Sequence, residues 1–303
     1  MQKPSFDPGF TQQFGAPLRR AIDKNGGFNV RKVGGQWRDF HPYLQLVSMS
    51  WPGFLGVIFL GYVLMNLAFA FVYYWIGSDQ VEGAYAPTAF GRFMKLFFFS
   101  SHTLSTVGYG NIAPRGLEAN IVAAFEALVG VMALAVATGL LFGRVSRPSA
   151  RIGFSEKLVV APYQDITALE FRVVNRRPNI LVDAEAHIML MTVDAVQGVP
   201  RRRFDVLRLE RDQVLFLATP WTIVHPIDSE SPLFGKTAED LAAIQAELLI
   251  SIRAYDDTFA QSVQQRYSYR HDEWVWGRRF APAFYVGPEG DLVIQLDKLG
   301  ELA

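Results

Sequence analysis

Thr106, Val107, Gly108, Tyr109 and Gly110 are the residues whose types and spacing point most directly to chemistry. Gly108 and Gly110 lack a Cβ, so the backbone there reaches unusual φ/ψ at little steric cost. That freedom lets successive carbonyl oxygens face one axis, with the Thr106 hydroxyl added at one end. Oxygens so arranged replace the water shell of a potassium ion, the chemistry of a selectivity filter. K+ is expected at Thr106, Val107, Gly108 and Tyr109, while Val107 and Tyr109 point their side chains outward and hold the diameter. One chain offers one carbonyl per ring, so the stretch predicts a homotetramer around a four-fold pore. A glycine-rich surface turn would have neither of the flanking segments described next.

Those segments are the elements that must position the filter. Residues 51–76 carry no charge, have Trp51 at one end and Tyr73, Tyr74 and Trp75 at the other, and read as an outer spanning helix. Residues 77–87 form a polar turret, and residues 90–105 are too short and too polar to span, so they read as a pore helix entering from outside. Its C-terminal dipole favours a cation below it. Residues 117–143 are the inner helix, with Glu126 as their one charge beyond the first turn. Gly130, Leu134, Thr138 and Phe142 recur every four residues and can share one pore-facing stripe. Gly130 and Gly139 admit two readings, a hinge or a close helix contact. Phe142, the last bulky residue before a basic stretch, is read either as a constriction that closes by dewetting or as a packing residue.

The whole chain limits the alternatives. Its 303 residues suffice for two domains, and 29 basic against 29 acidic residues leave no global positive field for nucleic acid. The absence of cysteine removes disulfides and thiolate metal sites. There is no dinucleotide fingerprint, nucleophile elbow or histidine cluster, so neither an enzyme nor a cofactor is expected beyond K+ as permeant ion. His187, His225 and His271 are isolated and read as structural. Residues 1–36 look like a flexible, basic cytoplasmic arm, and the first apolar run begins near Trp51, so no signal peptide is expected. With two spans, both termini are expected in the cytoplasm of a bacterial inner membrane. Residues 37–50 mix aromatic and polar residues as an interfacial helix does, with Pro42 kinking or shortening it. Arg144, Arg147 and Arg151 lie just inside the second span, where they attract anionic phospholipids, set topology, or both. From Phe154 onward alternation of period two dominates, as in Leu169–Val173, Ile180–Val193, Ala246–Ala254 and Leu292–Leu296. That pattern predicts an antiparallel β-sandwich over 147–303 with one short helical window at Thr237–Glu247.

These residues together resemble the prokaryotic inward-rectifier potassium channels, the KirBac family. The match rests on Phe97-Phe98-Phe99-Ser100 before Thr103-Leu104, on Glu126 with Gly130, Gly139, Phe142 and Arg147-Pro148, and on Trp221, His225-Pro226-Ile227-Asp228 and Ser231-Pro232-Leu233-Phe234-Gly235. Asp272-Glu273, Trp276-Gly277 and Phe280 extend it, so that it covers roughly residues 37–297. The resemblance implies a tetrameric membrane α pore of two spanning helices and a pore helix, followed by an all-β immunoglobulin-like cytoplasmic domain. It implies that residues 37–50 are a slide helix, that Phe142 is the bundle-crossing gate, and that phosphoinositides or other anionic lipids modulate the channel. Leu134, beside Phe142 on the gate stripe, stands where strongly rectifying relatives carry an acid, so weak polyamine block is expected. His102 stands where the family usually has Glu or Gln. One reading has His102 and Glu126 bonded to each other or to a shared water behind the filter; the other has each placed separately. Gating by a small-molecule ligand of the β domain is the alternative function, and a membrane-tethered scaffold is the non-channel rival.

Overall fold

The computed structural model describes residues 9–10, 20–34, 36, 40–146, 150–196 and 199–303. It forms two compact units, Gly34–Arg147 and a second made of Met1–Val33 with Pro148–Ala303.

The first unit is helical. Helix α1, Pro42–Ser48, begins at its proline. A proline at the first helical position costs nothing, because that N–H has no helical partner anyway. Pro42 therefore starts the expected 37–50 helix late rather than kinking it; residues 37–39 lie outside the described residues. Helix α2 spans Trp51–Ile76, α3 spans Ala89–Leu104 and α4 spans Leu117–Val145. Helices α2 and α4 are long and apolar enough to cross a membrane. Thr88 caps α3 by accepting from the Gly91 amide at 3.0 Å. The turret is more than a polar loop. Strand β1, Val81–Glu82, pairs with β2, Ala113–Pro114, and buries Val81 and Ala84 against Tyr73, Leu96 and Phe99.

The second unit contains two packed sheets. Its strands are β3 Ile152–Phe154, β4 Leu158–Tyr163, β5 Ile166–Asn175, β6 Leu181–Val196, β7 Val199–Val206, β8 Gln213–Phe216 and β9 Trp221–Ile227. They continue as β10 Glu247–Asp256, β11 Gln261–Arg270, β12 Trp274–Trp276, β13 Phe284–Val286 and β14 Leu292–Ile294. One sheet runs β11-β10-β6-β7 with β8 also on β6; the other runs β12-β4-β5-β3 with β9 also on β5. All pairs are antiparallel except β12 with β4. Leu158, Leu169, Phe171 and Val173 face Ile188, Leu190, Leu248 and Ile250 in one core. The helical window shrinks to α5, Ala238–Ala243, closed at its start by a Thr237–Asp240 capping box. On β6, Leu181 and Ala184 are both buried although three positions apart. A bulge absorbs the extra residue: the register to β10 shifts there, and Asp183 sits at φ 48°.

His225 lies within this core. Its Nδ1 is 2.5 Å from the Arg208 carbonyl, so Nδ1 donates, and Nε2 accepts from the Ser231 hydroxyl at 2.8 Å. Burial pushes its pKa below the ordinary histidine value.

The sequence reading of residues 1–36 as a free arm is overturned for its described part. Ile22 bridges to Phe28, and Asn25-Gly26 makes the turn between them with Gly26 at φ 84°. Ala21 and Ile22 are buried against Met191, Phe204 and Leu249 on the outer side of the β6–β7–β10 sheet. The Ala21 amide donates to the buried Glu247 carboxylate at 3.0 and 3.1 Å, and Ser268 donates to the Ile22 carbonyl at 2.7 Å. Glu273 holds both Arg20 and Lys24.

Two outcomes are expected. Glu247→Ala strands the Ala21 amide, at a cost of about 1–3 kcal/mol, so hydrogen exchange at Ala21 and Ile22 should accelerate roughly 5- to 150-fold. Neutral His225 stabilises the fold fully above the ordinary histidine pKa of about 6.5, and that contribution is lost as pH falls further. Exchange at the Ser231 and Leu233 amides, corrected for intrinsic rates, should therefore rise between about pH 7 and pH 5, and His225→Asn should remove the pH dependence.

Candidate ion-conduction site

The segment after α3 has alternating backbone hand. Thr106, Gly108 and Gly110 lie at φ 60°, 57° and 78°, with Val107 and Tyr109 between them outside that region. Alternation of this kind is what allows neighbouring carbonyls to face the same side. The sequence reading found the two glycines but not Thr106, a β-branched residue for which positive φ is costly. The local hydrogen bonds account for it. Thr106 donates to the Thr103 carbonyl at 3.0 Å, and the Val107 and Gly108 amides both donate to the His102 carbonyl, at 3.0 and 3.2 Å. The end of α3 thus holds the start of the loop by its own free carbonyls.

Helix α3 is held in turn from two sides. Gly130 of α4 is buried against the carbonyl of Leu104, and a Cβ on Gly130 would collide with that backbone. Between the two readings of Gly130, the contact is therefore close packing. It also removes Gly130 from the expected pore-facing stripe, because that face of α4 meets the end of α3 at this level. Gly139 has nothing within 4 Å of where its Cβ would be. Below α3 the same face of α4 is open: Leu134 is 64% and Phe142 71% exposed in the single chain.

Glu126 is fully buried, and its carboxyl group is bonded to Ser100 of α3 and, at 2.6 Å, to the Tyr73 hydroxyl of α2. Ser100 also bonds the Asn66 side chain of α2 at 3.0 Å, and Asn66 donates to the Tyr62 carbonyl at 2.7 Å. Tyr62 reaches Ser101 at 2.7 Å. One polar network therefore ties α2, α3 and α4 together. The direct His102–Glu126 bond is not formed. Glu126 is already taken by Ser100 and Tyr73, whereas the His102 ring sits edge-on to Tyr109 with centroids 4.7 Å apart. Sequence reasoning missed Asn66, Tyr73 and Ser100. Asn66 was the available signal, since a polar amide inside an apolar span needs a partner.

Of the three basic residues, Arg151 is exposed and Arg147 lies outside the described residues. Arg144 is turned inward onto the Leu46, Val47 and Met49 carbonyls. Gly130→Ala should cost roughly 1–3 kcal/mol by overpacking and lower the melting temperature of the purified channel, whereas Gly139→Ala should not. A hinge at Gly130 would instead alter gating and leave that temperature unchanged.

The comparisons with known proteins agree with this geometry. Residues 152–303 match the inward rectifier potassium channel C-terminal domain, and residues 54–147 match an ion channel family. The chain is 35% identical over 288 residues to the inward rectifier potassium channel Kirbac3.1 of Paramagnetospirillum magnetotacticum, covering 94% of this chain and 96% of that protein. It is 30% identical to the human G protein-activated inward rectifier potassium channel 1 and 29% identical to the bovine one. It covers 93% and 87% of its own length in those matches but spans only 60% and 57% of those longer relatives. These relatives are ion channels rather than enzymes. The chain belongs to the inward rectifier potassium channel family, on its prokaryotic, KirBac, side.

Proposed function

We propose that this chain conducts K+ passively and selectively through a homotetrameric pore in a bacterial inner membrane, with both termini cytoplasmic. The observation that carries the reading is the alternating left-handed backbone at Thr106, Gly108 and Gly110, displayed on a loop whose Val107 and Tyr109 are 53% and 72% exposed in the single chain. Such a loop has carbonyls ready to face an axis and side chains ready to pack against neighbouring copies. K+ is the cargo, held at Thr106, Val107, Gly108 and Tyr109, and the conduction step uses no cofactor. His102 supports the filter through Tyr109, and Glu126 does so through Ser100.

The gate is Phe142, with Leu134 lining the cavity above it and Gly139 as the flexible point between them. Both side chains stand on the open face of α4 below α3, where four copies would meet. Leu134 supplies no charge to hold a cytoplasmic polyamine, so rectification is weak. Anionic phospholipids, phosphoinositides among them, modulate opening through Arg147, Arg151 and the β unit.

The test is radiolabelled rubidium uptake into liposomes holding the purified channel. Uptake should be competed by potassium, blocked by barium and indifferent to sodium. Phe142→Ala should raise it without changing that order. Sodium competing as well as potassium would overturn the filter reading. Uptake unchanged by Phe142→Ala would overturn the gate.

A further inference from the structure

Asn66, Tyr73, Ser100 and Glu126 are all fully buried, so the hydrogens that bond them come from the four side chains themselves. Their direction follows from Asn66, because a backbone carbonyl fixes which way its amide points. Asn66 Nδ2 lies 2.7 Å from the Tyr62 carbonyl oxygen, which can only accept. The amide therefore turns its nitrogen to Tyr62 and its oxygen, Oδ1, to Ser100 Oγ at 3.0 Å. The opposite flip would set two acceptors against each other at Tyr62.

Asn66 Oδ1 carries no hydrogen, so the hydrogen in its contact with Ser100 belongs to the serine. A serine hydroxyl has a single hydrogen to donate, and this one is directed at Asn66. Ser100 Oγ is nevertheless also bonded to Glu126 Oε1. The hydrogen in that second bond has to come from Glu126. At the other carboxyl oxygen the Tyr73 hydroxyl donates to Oε2 at 2.6 Å. The bonds then run one way: Tyr73 to Glu126, Glu126 to Ser100, Ser100 to Asn66, and Asn66 to the Tyr62 carbonyl. Bonds in such a series polarise and strengthen one another.

The charges around Glu126 agree with this direction. An ionised carboxylate inside a membrane-crossing helix is costly without a counter-charge. Helix α2 brings it Tyr73 and α3 brings it Ser100. The cations of α3 are engaged elsewhere, Arg92 with the Ala86 carbonyl and Lys95 with the Gly83 carbonyl. The His102 ring lies against Tyr109, and the other charges of α4, Glu118 and Arg144, stand at its two ends.

We propose that Glu126 is held as a neutral carboxylic acid, with its proton on Oε1 and donated to Ser100, and that it is the positioning residue of a one-way hydrogen-bond relay through α2, α3 and α4. A neutral acid ties three helices without placing a fixed negative charge inside the membrane, and so requires no cationic partner from His102. Ionisation would draw the Ser100 hydroxyl to the carboxylate and leave Asn66 Oδ1 without a donor, so the Ser100–Asn66 tie between α3 and α2 is lost with the proton. The assignment rests on no part of the conduction reading.

The experiment is infrared spectroscopy of the full chain in phosphatidylcholine vesicles at about pH 7, where exposed Asp and Glu are ionised and give no carboxylic-acid carbonyl band. The unaltered channel should show such a band, and Glu126→Gln should lose it. No band in the unaltered channel, or a band of equal size in Glu126→Gln, would overturn the proposal. Tyr73→Phe supplies a second reading that does not need the Glu126 variant to fold. It should keep the band and move it to higher frequency, because the carbonyl oxygen Oε2 has lost its donor. A band left unmoved by Tyr73→Phe would place the proton elsewhere and overturn the relay. Should the channel carry no rubidium, the conduction reading fails while the band still decides the state of Glu126.

Discussion

A loop that holds Thr106, Gly108 and Gly110 in left-handed alternation demands support from outside itself, and the helical unit supplies it. The loop after α3 has too few internal bonds to hold three left-handed residues in alternation by itself. It borrows the His102 and Thr103 carbonyls from the end of α3, and that end rests in turn on Gly130. Where a side chain would be, there is instead backbone against backbone. Such a contact is stiff because it contains no rotatable bonds. The strain at Thr106, of order 1–3 kcal/mol for such a conformation, is sustained by this support.

The polar network of Asn66, Tyr73, Ser100 and Glu126 answers the same demand differently. In lipid, apolar side chains gain little by touching one another rather than the acyl chains, so hydrophobic burial does not fix the position of α3. Hydrogen bonds between helices are directional and have no water to exchange with. Glu126 takes one partner from α2 and one from α3 while belonging to α4, and Ser100 of α3 likewise bonds Asn66 of α2 and Glu126 of α4, so these two residues register all three helices at once. His102 is the outlier of the site. It contributes its carbonyl to the loop and its ring to Tyr109, two roles that its titratable character does not require.

Much of this was legible in the chain because membranes simplify the code. Residues 51–76 predicted α2 without error, and the α3 and α4 boundaries moved by one or two residues, since length, apolarity and belt aromatics are strong local signals. The unusual backbone at Gly108 and Gly110 and the β alternation were equally local. What escaped was long-range. The partner of Glu126 depended on which faces of three helices meet, and the inward turn of Arg144 depended on where α1 ends. The segment around Ala21 was hidden for a further reason. It has no periodicity, and its one clue was Asn25-Gly26 between Ile22 and Phe28, a hairpin signal in a stretch whose glycine content suggests disorder.

That segment also sets a schedule for the chain's own synthesis. Ala21 leaves the ribosome 226 residues ahead of Glu247, the carboxylate that receives its amide. At about 5–20 residues per second the wait is roughly 10–45 s. For most of it Ile22 has no apolar surface to cover, because Met191, Phe204 and Leu249 are all made after both spanning helices. The first-made piece of the β unit is therefore among the last to be placed. Its charged neighbours Arg20, Asp23 and Lys24 keep it soluble while it waits, and two of them then find Glu273 when that residue is made.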